Sequence, residues 1–291
     1  MREGIEHAAR RMVPAAFILA IAICGYALLQ GDPQNELSYL FTPSLSKFGW
    51  RGALVALHQA FFTLGLGMGV MLALGSYLPA DAPLKRMALL VIAMDTVFSL
   101  IAGGAIFILI FNAGLQPAPG LALTMEVLPQ ALPQNLAGAL LAAGFYTMMF
   151  LITMCSAVTL LEPITRFIQD WQRTTRVFAA TTSAMLIWLI GLGSLLSFSV
   201  LSGVKLFGLN FFEWVQSLTA SWFAPACGLL ICIFASRIMP RELALAAFGQ
   251  RDSVLFNLWA NALRYPARIG LIVILIYSTG LLDWLASLWS L

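Results

Sequence analysis

Charge is scarce in this chain of 291 residues: Asp, Glu, Lys and Arg together make up 10% of it. A soluble domain carries about 25%, so these residues cannot build a surface that faces water throughout. Histidine is rarer still, with two copies, and the four cysteines (Cys24, Cys155, Cys227, Cys232) fall inside apolar runs. Their spacing matches neither a zinc site nor a disulfide scaffold, and they read as packing thiols. A Ser-His-Asp set, a His/Cys metal cluster and a phosphate-binding glycine loop are all missing from the pattern, so the sequence does not read as an enzyme. The net charge of +3 comes from basic residues scattered singly, which argues against a nucleic-acid partner.

What is present is hydrocarbon. Apolar residues make up 60% of the chain and the mean hydropathy is +0.89. Runs of about 20 apolar residues are long enough to cross a hydrocarbon core as helix. Lipid offers no hydrogen bonds to the backbone, so each run must satisfy its own amides. The predicted class is all-α, a polytopic protein with the bilayer as its main partner. Seven spans are predicted, within one transmembrane domain over 1–291: 12–30, 53–77, 87–112, 135–161, 177–201, 211–236 and 266–285. Turn formers separate several of them, as at Gly31-Asp32-Pro33, at 79–83 and at 117–120. Tyr39, Phe41, Trp50, Tyr77, Trp171, Trp214, Trp284 and Trp289 lie near span ends, as interfacial aromatic residues do.

With alternating spans, thirteen of the Lys and Arg residues fall on one side and three (Lys47, Arg51, Lys205) on the other. The positive-inside rule then predicts a cytoplasmic N-terminus and a C-terminus outside. The start lacks a small-residue cleavage site, so the first span is expected to stay in the membrane.

The second span carries the most specific pattern, Gln59 followed by Phe61-Phe62-Thr63-Leu64-Gly65-Leu66-Gly67-Met68-Gly69. Alternate glycines weaken a helix by about 1 kcal/mol each. Periodicity leaves two readings open: a small-residue stripe for close packing, or a broken helix that turns backbone dipoles toward an ion or substrate. A potassium-type filter fits poorly, because these glycines lie inside a long span rather than after a short pore helix.

Asp95 is a carboxylate deep in the third span, which by default marks function in a membrane helix, and Ser99 follows one turn later. The alternative is a carboxyl held by neighbouring hydroxyls such as Thr96. The fourth span holds Thr153, Cys155, Ser156 and Thr159, whose hydroxyls can simply bond back to their own helix. Glu162 reads as solvated or paired with Arg166, and His58 as a packed or solvated side chain.

These residues resemble the neurotransmitter:sodium symporter family, in particular its bacterial members. The stretch from Gln59 to Tyr77 resembles that family's broken sixth helix. Gly4-Ile5-Glu6 with Met12-Val13-Pro14 resembles the start of its fifth, Leu128-Pro129 its outer loop, and Leu195-Leu196-Ser197-Phe198 its ninth. The resemblance covers the fifth to eleventh helices, a partial leucine-transporter-type fold built on inverted repeats and lacking the first four helices. It implies a sodium-dependent amino acid symporter of the bacterial inner membrane.

The resemblance also implies roles for single residues. Thr63 and Asp95 would hold one sodium ion, and the Ile152 carbonyl, Ser156 and Cys155 a second. Phe62, Thr63, Gly65, Met68, Ser156 and Leu160 would line the amino acid site, and Gln59, Thr63 and Ser99 take positions where animal members bind chloride. Asp95 supplies a negative charge nearby, so chloride is expected not to be required. Sodium is the only metal ion implied and no organic cofactor is expected. Cys155 departs from the pattern, because a thiol is a soft ligand for a hard cation. The family's first helix supplies further ligands, so the chain is expected not to transport alone and to need a polypeptide corresponding to the earlier helices, whether from a separate gene or a longer one. A scaffold, regulatory subunit or inactive relic with the same helices is the alternative.

Overall fold

In the computed structural model, residues 2–30, 38, 41–42, 45–79, 82–206, 208–248 and 254–280 are described. Gly31-Asp32-Pro33, Tyr39, Trp284, Trp289, the middle of the 79–83 turn and the stretch 281–285 of the last predicted span lie outside them. The described residues are almost wholly helical: α1 (Arg2–Gln30), α2 (Leu45–Thr63), α3 (Val70–Gly75), α4 (Leu84–Asn112), α5 (Leu136–Gln172), α6 (Arg176–Leu196), α7 (Phe211–Ile238), α8 (Arg241–Phe248), α9 (Val254–Arg264) and α10 (Pro266–Ser278). Helical turns at Leu123–Val127 and Leu128–Ala131 precede α5. Six helices among these residues are long and apolar enough to cross a membrane: Glu6–Gln30, α4, α5, α6, α7 and the α9–α10 run Val254–Ser278.

The contacts group the chain into two compact units, one of residues 1–48 and 90–159, the other of residues 49–89 and 160–291. The first unit is organised by small residues. Ala16, Ala20, Ile23 and Ala27 recur at helical spacing along α1 and are buried against Ala105, Ile108 and Leu109 of α4 and Phe145 and Met148 of α5. Alanine at these positions lets helix backbones approach closely, which is how membrane helices gain packing without a water-driven force. Leu128 is buried in the same cluster. Asn135 starts α5 by accepting a bond from the Gly138 amide at 3.0 Å, and the Tyr146 hydroxyl donates to the Thr124 carbonyl at 3.0 Å.

The second unit contains the broken span. Its core is Phe61 of α2, Ala224 of α7 and Ile274 of α10, with Met68 and Leu271 packed against them. Within this unit α5 runs on past its apolar part: Glu162, Arg166 and Asp170 recur every four residues, and the helix ends only at Arg173, whose φ of 50° is left-handed. The Thr174 amide reaches back to the Gln169 carbonyl at 3.3 Å, the long-range bond of a Schellman C-cap.

Candidate functional site

The glycine-rich stretch is a break in the helix. α2 stops at Thr63 and α3 starts at Val70; between them Gly65, Gly67 and Gly69 have φ of 63°, 80° and 76°. The Gly65 amide donates to the Phe62 carbonyl at 2.9 Å and the Leu66 amide to that of Phe61 at 3.3 Å, which tightens the last turn of α2. The regular ladder resumes where the Ala73 amide meets the Gly69 carbonyl at 3.0 Å. The two glycine readings therefore coexist. The left-handed angles interrupt the ladder, and Gly67 also serves packing: a Cβ there would stand 2.1 Å from the Ala224 carbonyl oxygen. A Cβ on Gly65 would meet open space, and one on Gly69 would touch Pro163 at 3.7 Å. In a membrane such irregular backbone survives where it is enclosed by protein or lines a cavity. The C-terminal end of a helix, such as α2 at Thr63, turns the negative ends of its peptide dipoles outward and so suits a cation.

The residues singled out from sequence are distributed over both units. In the second, Gln59, Phe62 and Thr63 lie on the exposed side of the last turns of α2, with the Phe62 ring 6.4 Å from that of His58. The His58 Nε2 is buried without a hydrogen-bond partner among the described residues. Gly65 lines an apolar groove, Met68 packs against the Phe61 cluster and Leu160 is 41% exposed. In the first unit, Asp95 is half-buried and Ser99 exposed on α4, while Ile152, Cys155 and Ser156 lie in the middle of α5. The Thr96 hydroxyl donates to the Ile92 carbonyl at 2.8 Å, so its proton is not spent on Asp95. Thr159 bonds back in the same way to the Cys155 carbonyl at 2.6 Å. Ile152 packs against the core of its unit and Cys155 is half-buried; Ser156 is exposed. Among the described residues no group of three or more His, Cys, Asp or Glu gathers into a metal centre.

The sequence reading missed the role of Glu162. Its side chain is 4% exposed and the Arg176 guanidinium clasps it with two bonds, at 2.8 and 2.5 Å. The Tyr77 hydroxyl donates to the same carboxylate. Arg166 donates its Nε to the Tyr77 oxygen at 2.9 Å, and its guanidinium carbon stands 4.1 Å from the centre of the Tyr77 ring. Arg166 itself is 3.6 Å from the carboxylate, so the expected pair exists but is the lesser contact. A buried carboxylate must be paired and hydrogen-bonded to be tolerated, and here two arginines and a phenol do so. The cluster fastens the chain just beyond α3 to α5 and to the first residue of α6. Its sequence signal was faint: a Glu-Pro pair in an apolar helix, with partners 14 and 85 residues away.

Comparison with known proteins agrees with this architecture. The profile of the sodium:neurotransmitter symporter family matches residues 2–245. YhdH of Bacillus subtilis, an uncharacterized sodium-dependent transporter, is 31% identical over 287 residues, 98% of this chain and 64% of its own length. An uncharacterized sodium-dependent transporter of Haemophilus influenzae is 24% identical over 274 residues, 94% of this chain and 60% of its own. The crystal structure of MhsT in complex with L-phenylalanine superposes with a TM-score of 0.85 at 35% identity, covering 95% of this chain and 63% of MhsT. The chain thus spans less than two thirds of the length of these relatives. The family is one of transporters, not of enzymes, and its members depend on sodium. On the family profile, the identity to YhdH and the shared fold, this multi-pass helical chain belongs to the sodium:neurotransmitter symporter family.

Proposed function

We propose that this chain is the part of a sodium-coupled amino acid symporter that carries the broken helix, working in a bacterial inner membrane. The observation that carries the reading is the break at 64–69, with left-handed glycines at 65, 67 and 69 in mid-span. Sodium, a co-transported substrate, would be held by oxygen: the Thr63 hydroxyl and Asp95 carboxylate for one ion, and the Ile152 carbonyl and Ser156 hydroxyl for another. These are hard donors suited to a hard cation, whereas the Cys155 thiol contributes weakly. Phe62, Gly65, Met68 and Leu160 would meet the side chain of an apolar or aromatic amino acid. The phenylalanine in the MhsT complex supports that substrate class. Chloride would not be needed, because Asp95 already supplies negative charge. The positive-inside pattern supports a cytoplasmic N-terminus.

The shares of YhdH and MhsT left uncovered support a further point: the site also needs a polypeptide corresponding to the earlier helices of those relatives. The test is scintillation proximity binding of radiolabelled L-phenylalanine in sodium and in choline buffer, with and without that polypeptide co-expressed. Binding that requires both sodium and the second polypeptide is the expected result. A folded sample that binds under neither condition overturns the transporter reading and leaves a scaffold or relic.

A further inference from the structure

Where a helix is interrupted, its own ladder no longer fixes the residues before the gap relative to those after it. Two backbone bonds enter the gap, from the Gly65 amide to the Phe62 carbonyl and from the Leu66 amide to that of Phe61, the second at 3.3 Å. Neither extends beyond Leu66, so side-chain packing has to set how the segment continues toward α3.

Phe61 supplies that packing. It is the one buried residue between His58 and Gly69, and it packs with Ala224 of α7 and Ile274 of α10. Its ring tip occupies space that two glycines leave. A Cβ on Gly67, beyond the start of the gap, would stand 3.0 Å from the Phe61 Cζ. One on Gly228 of α7 would stand 3.0 Å from the same atom and 2.9 Å from Cε2, with Leu271 Cδ2 of α10 at 3.3 Å. Gly67 is also pressed against the Ala224 carbonyl, one helical turn from Gly228. The ring therefore touches the chain on both sides of the start of the break and rests on a single turn of α7.

The φ of 80° at Gly67 is reason enough for a glycine there. Gly228 has no such reason, since it lies buried inside a regular stretch of α7, where glycine weakens a helix relative to alanine. Its missing Cβ is what admits the ring. Next to Phe61 come Phe62 and Thr63, whose side chains are exposed. Groups that hold a ligand have to be kept within about 0.5 Å of their working positions by packed neighbours, and Phe61 is the packed neighbour these two have.

We propose that Phe61 is a positioning residue: it places the break, and through the break Phe62 and Thr63, so that the size of residue 228 governs the affinity for amino acid and sodium. The ligand half of this inference rests on the symporter reading above. The packing half does not, because Phe61, Gly67, Ala224 and Gly228 all lie in the second unit and bury one another.

The test uses the chain co-expressed with the polypeptide that completes its relatives' length, and compares Gly228→Ala with Gly228→Ala/Phe61→Leu. In the single variant the new methyl meets the far end of a side chain, which can turn aside, so the protein is expected to fold with Phe61 displaced. The dissociation constant for radiolabelled L-phenylalanine should rise about tenfold, and the sodium concentration for half-maximal binding should rise with it. Leucine at 61 gives the methyl room, so the double variant should recover most of the affinity. Gly193→Ala controls for a comparable clash elsewhere: a Cβ there would stand 2.8 Å from the Phe211 Cε1. It should lower the thermal midpoint and leave the dissociation constant unchanged. Hydrogen exchange reads the contact without any ligand: the Gly65 and Leu66 amides should exchange faster in Gly228→Ala and near the parent rate in the double variant. If Gly228→Ala does not fold, Phe61→Leu alone carries the test, with faster exchange at the same two amides expected. Should the parent bind no amino acid while this exchange pattern holds, the symporter reading falls and the placing of the break by Phe61 stands. Unchanged exchange overturns the proposal, as does an unchanged dissociation constant in a folded Gly228→Ala whose parent binds. A double variant that recovers nothing, or an equal loss of affinity in Gly193→Ala, would make the effect one of general packing and overturn it too.

Discussion

The three glycines of the break are not equivalent, and the difference is measurable. All three have φ near 70°, where an L side chain costs roughly 1–2 kcal/mol because its Cβ crowds the carbonyl. At Gly65 that is the whole cost, because the space around a new Cβ is open. At Gly67 the methyl would lie 2.1 Å from the Ala224 carbonyl oxygen and 3.0 Å from the Phe61 ring. Backbone cannot swing aside as a side chain can, so α7 must move and the overpacking cost, typically 1–3 kcal/mol, adds to the first. Thermal unfolding in detergent should therefore rank Gly67→Ala well below Gly65→Ala, which itself falls slightly below the parent. Equal midpoints would mean that Gly67 does not pack against α7.

Among the elements, the long apolar helices were legible because each rests on local pattern. The alternate glycines left a packing stripe and a break both open, and only the resemblance favoured the break; the structure interrupts the helix at 64–69, with left-handed angles at Gly65, Gly67 and Gly69. The length of α5 was less legible: charge at Glu162 and Arg166 reads as the end of an apolar run, yet an amphipathic helix continues beyond it to Gln172. α9 was missed for the opposite reason, since its apolar face is offset by Asn257, Asn261 and Arg264 and no run of membrane length begins there. The clasp of Arg176 on Glu162 could not be read at all, because nothing local ties the start of one helix to the middle of another. That clasp belongs to the element scale, since it joins α5, α6 and the chain after α3. Removing one partner leaves the other charge buried and unpaired, which typically costs 3–5 kcal/mol, whereas replacing both by apolar groups is often neutral. Arg176→Leu should therefore lower the unfolding midpoint sharply, and Arg176→Leu with Glu162→Leu should recover most of the loss. If the double variant unfolds no later than the single one, the pair is not the source of the effect.

For the whole molecule, composition and charge placement fixed the membrane class, while the assignment to one family came from the Gln59–Tyr77 pattern. Role assignments at Thr63, Asp95, Ile152 and Ser156 rest on that resemblance, because a sodium site is made of oxygens from separate helices and leaves no spacing in the sequence. Linkage offers a test that needs neither transport nor a known amino acid. An ion that binds the folded protein and not the unfolded chain stabilises it by an amount that grows with concentration, about 2.7 kcal/mol at a hundred times the dissociation constant. The unfolding midpoint of the chain, co-expressed with the polypeptide that completes its relatives' length, should rise with sodium and not with choline or potassium at equal ionic strength. Thr63→Ala and Asp95→Ala should each remove most of the rise, while Cys155→Thr, which replaces a soft donor with a hydroxyl, should increase it. Gluconate in place of chloride should change nothing on the proposal that the charge at Asp95 stands in for the anion. A rise that potassium matches would be a general salt effect, and the sodium assignment of these residues would fall with it.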